Sequence, residues 1–212
     1  MMDAERRTFL ASIERYALEA ARAYGIPVVP RAVAAQAALE SDWGRSQLAR
    51  EGNNLFGIKA GSSWHGPVLE LPTWEVVDGQ RVKTTARFRR YEDFEDAVRD
   101  YVRIIGRLDW YQDAREAARY GDPYGFAYGL EARGEPGWAT DPRYAKKILA
   151  LMWTYHLLEG PHPVWADQVY IDGEPVAVER VSVARTEGGG LKLYLARRCP
   201  WLWRLLGRCR DA

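Results

Sequence analysis

The sequence predicts an α+β fold that is mainly helical, with a small β-hairpin lobe and a separate β-rich C-terminal appendage. Three observations predict it. Apolar residues recur at three-to-four spacing in several segments before residue 157, which is typical of helices packed on a core. Strand-like residues surround Asp78-Gly79, a dipeptide that favours a hairpin turn. After Gly160 the helical spacing gives way to short strand-like runs.

The first predicted helix covers residues 8–24 and ends at Gly25. A second helix begins near Pro30, which suits a first helical turn. Its run from Ala32 to Leu39 is so rich in small residues that we expect it to lie buried against neighbouring helices. Glycines and asparagines between residues 44 and 54 then predict a loop.

The β lobe is predicted as one antiparallel hairpin over Val68–Phe88. Helical spacing returns from Phe94 to Leu108 and again up to Tyr155. Asp141 stands directly before Pro142, a pattern typical of an N-cap followed by a first-turn proline.

We place a domain boundary near residue 160, which gives a main domain of residues 1–160 and an appendage of residues 161–212. Residues 169–176 and 191–195 of the appendage are strand-like. Residues 197–210 carry five arginines interleaved with tryptophan and leucine. This segment either contacts an anionic membrane or, in the interpretation we favour, docks its apolar side chains on residues 165–195.

Both cysteines of the chain, Cys199 and Cys209, fall in this last segment. On a continuous helix they would lie too far apart to pair, so a disulfide requires a bend near Pro200 or Gly207. The main domain is therefore expected to be stabilised by packing alone.

Composition excludes some function classes. Thirty Lys and Arg nearly cancel 29 Asp and Glu, so no strong positive field favours a nucleic-acid partner. Nine Trp and twelve Tyr suit either core packing or stacking on sugars. The first ten residues lack an apolar run of signal-peptide length, so we expect synthesis in the cytoplasm without a signal peptide or membrane anchor.

Glu40 is the leading candidate for a catalytic proton donor. It follows an alanine-rich helical run and precedes Trp43 and Gly44, so apolar side chains could raise the pKa of its carboxyl group. Cleavage of a glycosidic bond needs such an acid to protonate the leaving oxygen. The residues alone leave a second interpretation open, in which Glu40 is an exposed glutamate at a helix end.

Glycosidases commonly use a second carboxylate, and the hairpin offers Glu70, Glu75 and Asp78. Glu75 stands beside Trp74 near the turn, although a solvent-facing role is the commoner use of a hairpin glutamate. Asp100, on the helix that follows, is expected to be a solvated charge or a local support for the hairpin.

Five ordered motifs carry a resemblance to a known family. They are residues 35–44, 53–59, 63–67, 84–91 and 137–145. In this order and spacing the chain resembles glycoside hydrolase family 73 over about residues 8–157. Members of that family are bacterial and phage peptidoglycan β-N-acetylglucosaminidases, including the muramidase-type domain of the flagellar rod-capping protein.

The resemblance implies a lysozyme-like fold that uses no metal or organic cofactor. It implies Glu40 as the general acid and Glu75 as the second carboxylate, and it also draws attention to Asp100. Trp138 stands where the family usually has a tyrosine, so the hydroxyl of that residue is lost or is supplied by Tyr144 or Tyr124. We expect sugar contacts from four aromatic residues, namely Trp64, Trp74, Trp138 and Tyr144.

The expected function is therefore a peptidoglycan hydrolase that cleaves the β-1,4 bond after N-acetylglucosamine. We expect a monomer of the phage or prophage endolysin type, which acts on wall glycan strands after release. Two alternatives stay open: a lysozyme or lytic transglycosylase that cuts after N-acetylmuramic acid, and a wall-binding module without activity.

Overall fold

The computed structural model of the 212-residue chain describes residues 3–77, 80–131, 137–139 and 141–158. Four short strands after residue 168 are described through their backbone, as are the strand residues between 73 and 83. Asp78-Gly79, the segment 197–210 and both cysteines lie outside the described residues.

The described part of the main domain is helical with one two-stranded sheet, which confirms the predicted α+β class. A 3-10 turn at Asp109–Tyr111 precedes α5. The helices are α1 (Asp3–Tyr24), α2 (Pro30–Ser41), α3 (Gln47–Gly52), α4 (Phe94–Arg107), α5 (Gln112–Arg119), α6 (Pro123–Tyr128) and α7 (Tyr144–Thr154).

Helix α2 lies at the centre of the domain. Its residues 32–38 are at most 1% exposed, and α1, α6 and α7 all pack against it. Alanine at most of these positions lets the neighbouring helices approach closely, as the small-residue run predicts. The same packing fixes where the C-terminal end of α2 emerges, and Glu40 is at that end.

The hairpin pairs β1 (Val68–Val77) with β2 (Gln80–Arg89) in antiparallel register. Glu75 lies opposite Val82 in this register. The preceding loop joins the sheet because the backbone N–H of Arg89 donates to the carbonyl of Ile58 at 2.9 Å. Helix α3 packs against β1, so the hairpin is attached to the helical core at its base.

Several element boundaries differ from the sequence predictions. Helix α1 begins at Asp3, five residues before the predicted start, and α3 occupies part of the predicted loop. Helices α5 and α6 were not predicted. The predicted N-cap at Asp141 is wrong: α7 begins at Tyr144, and the Asp141 carboxylate accepts the backbone N–H of Arg143 before the helix starts.

The described backbone of the appendage forms two separate hairpins. The first pairs β3 (Val169–Ile171) with β4 (Glu174–Val176), within the run predicted as strand-like. The second pairs β5 (Arg180–Arg185) with β6 (Leu191–Ala196), of which only β6 was predicted. The division of the chain near residue 160 stays a prediction. None of the helices in the described part of the chain is long and apolar enough to cross a lipid bilayer.

Candidate active site

Glu40 sits one residue before the C-terminal end of α2, where the chain makes a tight turn. Three consecutive residues after the helix, Asp42, Trp43 and Gly44, have positive φ angles of 49°, 62° and 76°. The hydroxyl of Ser41 closes the turn, donating to the carbonyl of Ala37 and accepting the backbone N–H of Gly44. Left-handed backbone at two non-glycine residues is costly and is found disproportionately beside functional sites.

Because of this turn, the Trp43 ring packs toward α1 and does not take the expected place in an apolar wall beside Glu40. Its ring packs edge-on against Phe9 and Tyr155, and the guanidinium of Arg6 lies 4.9 Å from its centroid. Trp43 thus anchors the turn on α1 and on the chain after α7.

The carboxyl group of Glu40 is held by Tyr144, the first residue of α7, whose hydroxyl donates to Oε1 at 2.5 Å. Burial raises the pKa of Glu40, while the Tyr144 hydrogen bond and the charge of Lys147 oppose that rise without cancelling it. The C-terminal end of α2 carries partial negative charge, which also disfavours the ionised form. Glu40 as a whole residue stays open to solvent. A protonated, reachable carboxyl group is what a general acid requires.

Behind Tyr144 lies a row of buried polar groups that sequence reasoning missed. Gln36 Nε2 donates to the Tyr144 hydroxyl at 3.0 Å, and the Tyr101 hydroxyl donates to Gln36 Oε1 at 2.5 Å. Gln36 and Tyr101 are both 0% exposed. The available signal was a lone amide in an alanine-rich helix, four residues before Glu40 and so on the same helix face.

Trp138 packs against the Tyr101 end of this row. Its ring is half-buried and lies 4.8 Å from Tyr101, 6.0 Å from Tyr111 and 6.1 Å from Phe56 between centroids. It lacks a hydroxyl, and in this chain Tyr144 provides the hydroxyl that reaches Glu40. Of the two tyrosines proposed as substitutes, Tyr144 is therefore the one whose hydroxyl contacts the candidate acid.

Trp64 occupies a different place, at the base of the hairpin. Its indole N–H donates to the carbonyl of Pro67, and the guanidinium of Arg89 lies 4.7 Å from its ring. Its ring also packs edge-on against Tyr91. These contacts hold Trp64 beside Asp100, outside the hydrogen-bonded group that surrounds Glu40 among the described residues.

The candidates for a second carboxylate have unequal surroundings. Glu70 is exposed and faces Arg87 across the sheet at 3.8 Å. Asp100 is 14% exposed and accepts from both Arg89 and Tyr91 at 2.7 Å, so it joins α4 to the hairpin base. The side chains of Glu75 and Trp74 and the whole of Asp78 lie outside the described residues.

The described residues contain no group of three or more His, Cys, Asp or Glu side chains placed to hold a metal ion. What the site offers is one desolvated carboxyl group, a tyrosine that fixes its orientation and aromatic rings nearby. That set of groups suits acid catalysis on a carbohydrate.

Comparison with known proteins decides the family. The model of the family described as mannosyl-glycoprotein endo-β-N-acetylglucosaminidase matches residues 14–157. The chain belongs to this glucosaminidase family. The matched range contains Glu40, the hairpin and α7, and it confirms the resemblance to glycoside hydrolase family 73.

Curated relatives in the family include the peptidoglycan hydrolase FlgJ of Escherichia coli K12, which is 38% identical over 148 residues. That alignment covers 68% of this chain and 45% of FlgJ. The exo-glucosaminidase LytG of Bacillus subtilis is 36% identical over 160 residues, covering 73% of this chain and 53% of LytG. The chain therefore spans about half the length of the curated relatives it matches.

Solved structures of family members confirm the predicted lysozyme-like fold. The catalytic domain of the autolysin Auto from Listeria monocytogenes superposes with a TM-score of 0.61 at 30% identity, covering 74% of this chain and 88% of that one. The glycoside hydrolase domain of FlgJ from Salmonella typhimurium gives 0.56 at 33% identity, covering 73% of this chain and 99% of that domain.

Proposed function

We propose that this protein is a peptidoglycan hydrolase that cleaves the β-1,4 bond after N-acetylglucosamine, with Glu40 as its general acid. The observation that carries the proposal is the Glu40 carboxyl group, whose pKa is raised by burial and whose Oε1 is held by Tyr144. It lies within the segment matched by the glucosaminidase family. Relatives named as peptidoglycan hydrolase and exo-glucosaminidase support the substrate.

In the proposed reaction, Glu40 gives its proton to the glycosidic oxygen as the bond to the anomeric carbon breaks. The positive charge that develops on the sugar then needs a second group to stabilise it or to direct water. We assign this role to Glu75, on the strength of the family resemblance. Asp100 already accepts two hydrogen bonds from its own neighbours, which supports a structural role for it.

Sugar contacts are proposed for Trp74, Trp138 and Trp64, with Tyr144 acting mainly on the acid. The half-buried ring of Trp138 packs on Tyr101, which leaves part of its surface for stacking on a sugar. Trp64 lies at the hairpin base, so we assign it to a more distant part of the glycan strand.

The test is to digest purified peptidoglycan with the wild-type protein and with Glu40→Gln, then identify the new chain ends by mass spectrometry. We expect N-acetylglucosamine reducing ends from the wild type and a loss of turnover of about 10²–10⁴-fold in Glu40→Gln. Muramic or anhydro-muramyl ends would instead identify a lysozyme or a lytic transglycosylase. Wall binding without cleavage would identify an inactive module.

Two hairpin variants test the second carboxylate. Glu75→Gln should lose most of its turnover, whereas Glu70→Gln, a matched exposed glutamate paired with Arg87, should keep it. If Glu75→Gln turns over like the wild type while Glu40→Gln is inactive, Glu75 has no part in the mechanism.

We also propose that the enzyme acts as a monomer of the phage or prophage endolysin type, reaching the wall after release from the cytoplasm. Expression in a bacterial host, with and without a membrane-permeabilising agent, tests the route: lysis should require the agent. A peptide of residues 196–212 that bound anionic and neutral vesicles equally would exclude membrane contact by residues 197–210 and leave the favoured interpretation, docking on residues 165–195.

A further inference from the structure

A continuous row of hydrogen bonds runs from the core to the candidate acid. It connects Tyr101 to Gln36 at 2.5 Å, Gln36 to Tyr144 at 3.0 Å and Tyr144 to Glu40 at 2.5 Å. The first three side chains are 0%, 0% and 4% exposed. Burying polar groups in an alanine-rich core costs free energy unless each group finds a partner, so the direction of every bond is constrained.

The donor and acceptor of each hydrogen bond in the row follow from Tyr101, the residue at its buried end. Tyr101 donates to Gln36 Oε1, which places the amide nitrogen against Tyr144 and makes the Tyr144 oxygen an acceptor. The single proton of Tyr144 then points to Oε1 of Glu40. With the amide reversed, Tyr101 would accept from Gln36 and would lose the hydrogen bond that it donates to Oε1 in the core.

We propose that Gln36 and Tyr101 are positioning residues of the acid, which lock the Tyr144 hydroxyl as a donor to Oε1 and so place the transferable proton on Oε2 of Glu40. The inference rests on the proposed function, because it assigns a role to Glu40 as the acid. Gln36 and Tyr101 act through Tyr144, since both are fully buried and out of reach of a substrate.

The fixed orientation of the Tyr144 hydroxyl determines which oxygen of Glu40 carries the transferable proton. A proton on Oε1 would compete with the Tyr144 donor, so the protonated acid carries its proton on Oε2. When that proton moves to the glycosidic oxygen, the electron pair of the broken bond goes to the leaving oxygen. The negative charge left on Glu40 is then stabilised by a Tyr144 donor that is already oriented.

The packing around Tyr101 keeps the row in place. The ring of Phe56 stacks on Tyr101 at 4.3 Å with an interplanar angle of 22°, and Trp138 lies against it at 4.8 Å. Since Trp138 is only half-buried, a sugar stacked on it would rest on the same aromatic group that holds the start of the row.

The test compares pH profiles of kcat and kcat/KM on purified peptidoglycan for the wild type, Tyr101→Phe and Gln36→Met. In Tyr101→Phe the Gln36 amide can reverse and accept from Tyr144, and in Gln36→Met the Tyr144 oxygen loses the donor that occupied it. In both variants the Tyr144 oxygen becomes able to accept the Glu40 proton, which favours the protonated form but directs its proton away from the substrate. We expect kcat to fall by about tenfold, KM to stay the same, and the alkaline limb to move up by about half a pH unit or more.

Gln36→Glu serves as the conservative rescue. When neutral, a glutamic acid at this position accepts from Tyr101 and donates to Tyr144, as the amide does. We expect kcat close to that of the wild type at the acidic end of the profile and a steep loss at higher pH. Tyr155→Phe is the matched control, because it removes a buried tyrosine hydroxyl that accepts from Arg6 outside the row.

The outcomes separate this inference from the proposed function. Wild-type cleavage that is abolished in Glu40→Gln, together with unchanged pH profiles in Tyr101→Phe and Gln36→Met, would overturn the positioning role alone. Absence of cleavage by the wild type would overturn the function. If circular dichroism shows that Gln36→Met does not fold, Tyr101→Phe and Gln36→Glu decide the question. A loss of kcat in Tyr155→Phe equal to that in Tyr101→Phe would also reject the positioning role of Gln36 and Tyr101.

Discussion

At Glu40 two opposing influences act on one carboxyl group. Burial raises its pKa, and the Tyr144 donor together with the Lys147 charge acts to lower it. The rise exceeds the fall, so the group keeps its proton to a higher pH than an ordinary glutamate. The same contact also acts on Tyr144: burial and the Glu40 charge raise the pKa of its hydroxyl. Tyr144 therefore stays a neutral donor throughout the range in which Glu40 titrates.

The raised pKa of Glu40 makes the stability of the folded protein depend on pH. Since the pKa of Glu40 is raised on folding, the native state binds the proton more tightly, and stability falls as pH rises through the unfolded and then the folded pKa. We predict that Glu40→Gln raises the melting temperature at pH 7 by about 1–3 °C and leaves it unchanged near pH 3.

Differential scanning calorimetry at the two pH values measures this effect. Glu70→Gln is the control, because Glu70 is an exposed residue on the hairpin. A Glu40→Gln protein that melted below the wild type at pH 7 would contradict the inferred desolvation.

At the scale of elements, a partly buried ion pair joins the hairpin to α4, in addition to the packing of α3 against β1. Arg89, the last residue of β2, donates to Asp100 of α4 at 2.7 Å, and the two side chains are 12% and 14% exposed. Tyr91 donates to the same carboxylate oxygen. Trp64 covers the guanidinium of Arg89. The orientation of the hairpin relative to α4 therefore depends on this group.

We predict that Arg89→Leu lowers the free energy of unfolding by about 2–4 kcal/mol, because it leaves the Asp100 carboxylate buried without its cation. Arg87→Leu is the matched control: its partner Glu70 is exposed and 3.8 Å away, so we expect a change within about 0.5 kcal/mol. Urea unfolding measures both, and equal losses would show that the Arg89 pair has no special role.

The sequence predicted α2 and the hairpin well because both carry strong local signals, the small-residue run and the turn dipeptide. The asparagines that predicted a loop hold it on the hairpin: the Asn54 amide donates to the carbonyls of Ile58 and Arg89. Helices α5 and α6 are eight and six residues long, too short for periodicity to identify.

The candidate site was predicted in part: Glu40 and Tyr144 were named from sequence motifs, whereas the hydrogen bonds that join Gln36 and Tyr101 to them were not predicted. Gln36, Tyr101 and Tyr144 are separated by 65 and 108 residues in the bonded pairs, so only the fold brings them together. Trp43 was assigned to the wall of the site because it follows Glu40. Its left-handed backbone, which sequence did not reveal, turns it toward α1 instead.

At the scale of the whole molecule, the described core and the family match cover nearly the same residues. Buried apolar residues of the described chain run from Leu10 to Leu158, and the family model matches residues 14–157. The hydrogen-bonded row, the acid and the hairpin base all fall inside these limits. The segment up to residue 160 thus holds the described parts of the proposed catalytic machinery.

We therefore predict that a chain ending at residue 160 folds and cleaves purified peptidoglycan within about twofold of the full-length kcat/KM. The physical reason is that α1, α2, α4, α6 and α7 pack on one another and bury apolar residues from Leu10 to Leu158, although α6 also contacts β6 of the appendage. Turnover assays and thermal melting compare the two chains, with Glu40→Gln in the shorter chain as the inactive control. If the shorter chain melts cooperatively but loses activity, the appendage contributes to catalysis; if it fails to melt cooperatively, the predicted domain boundary near residue 160 is wrong.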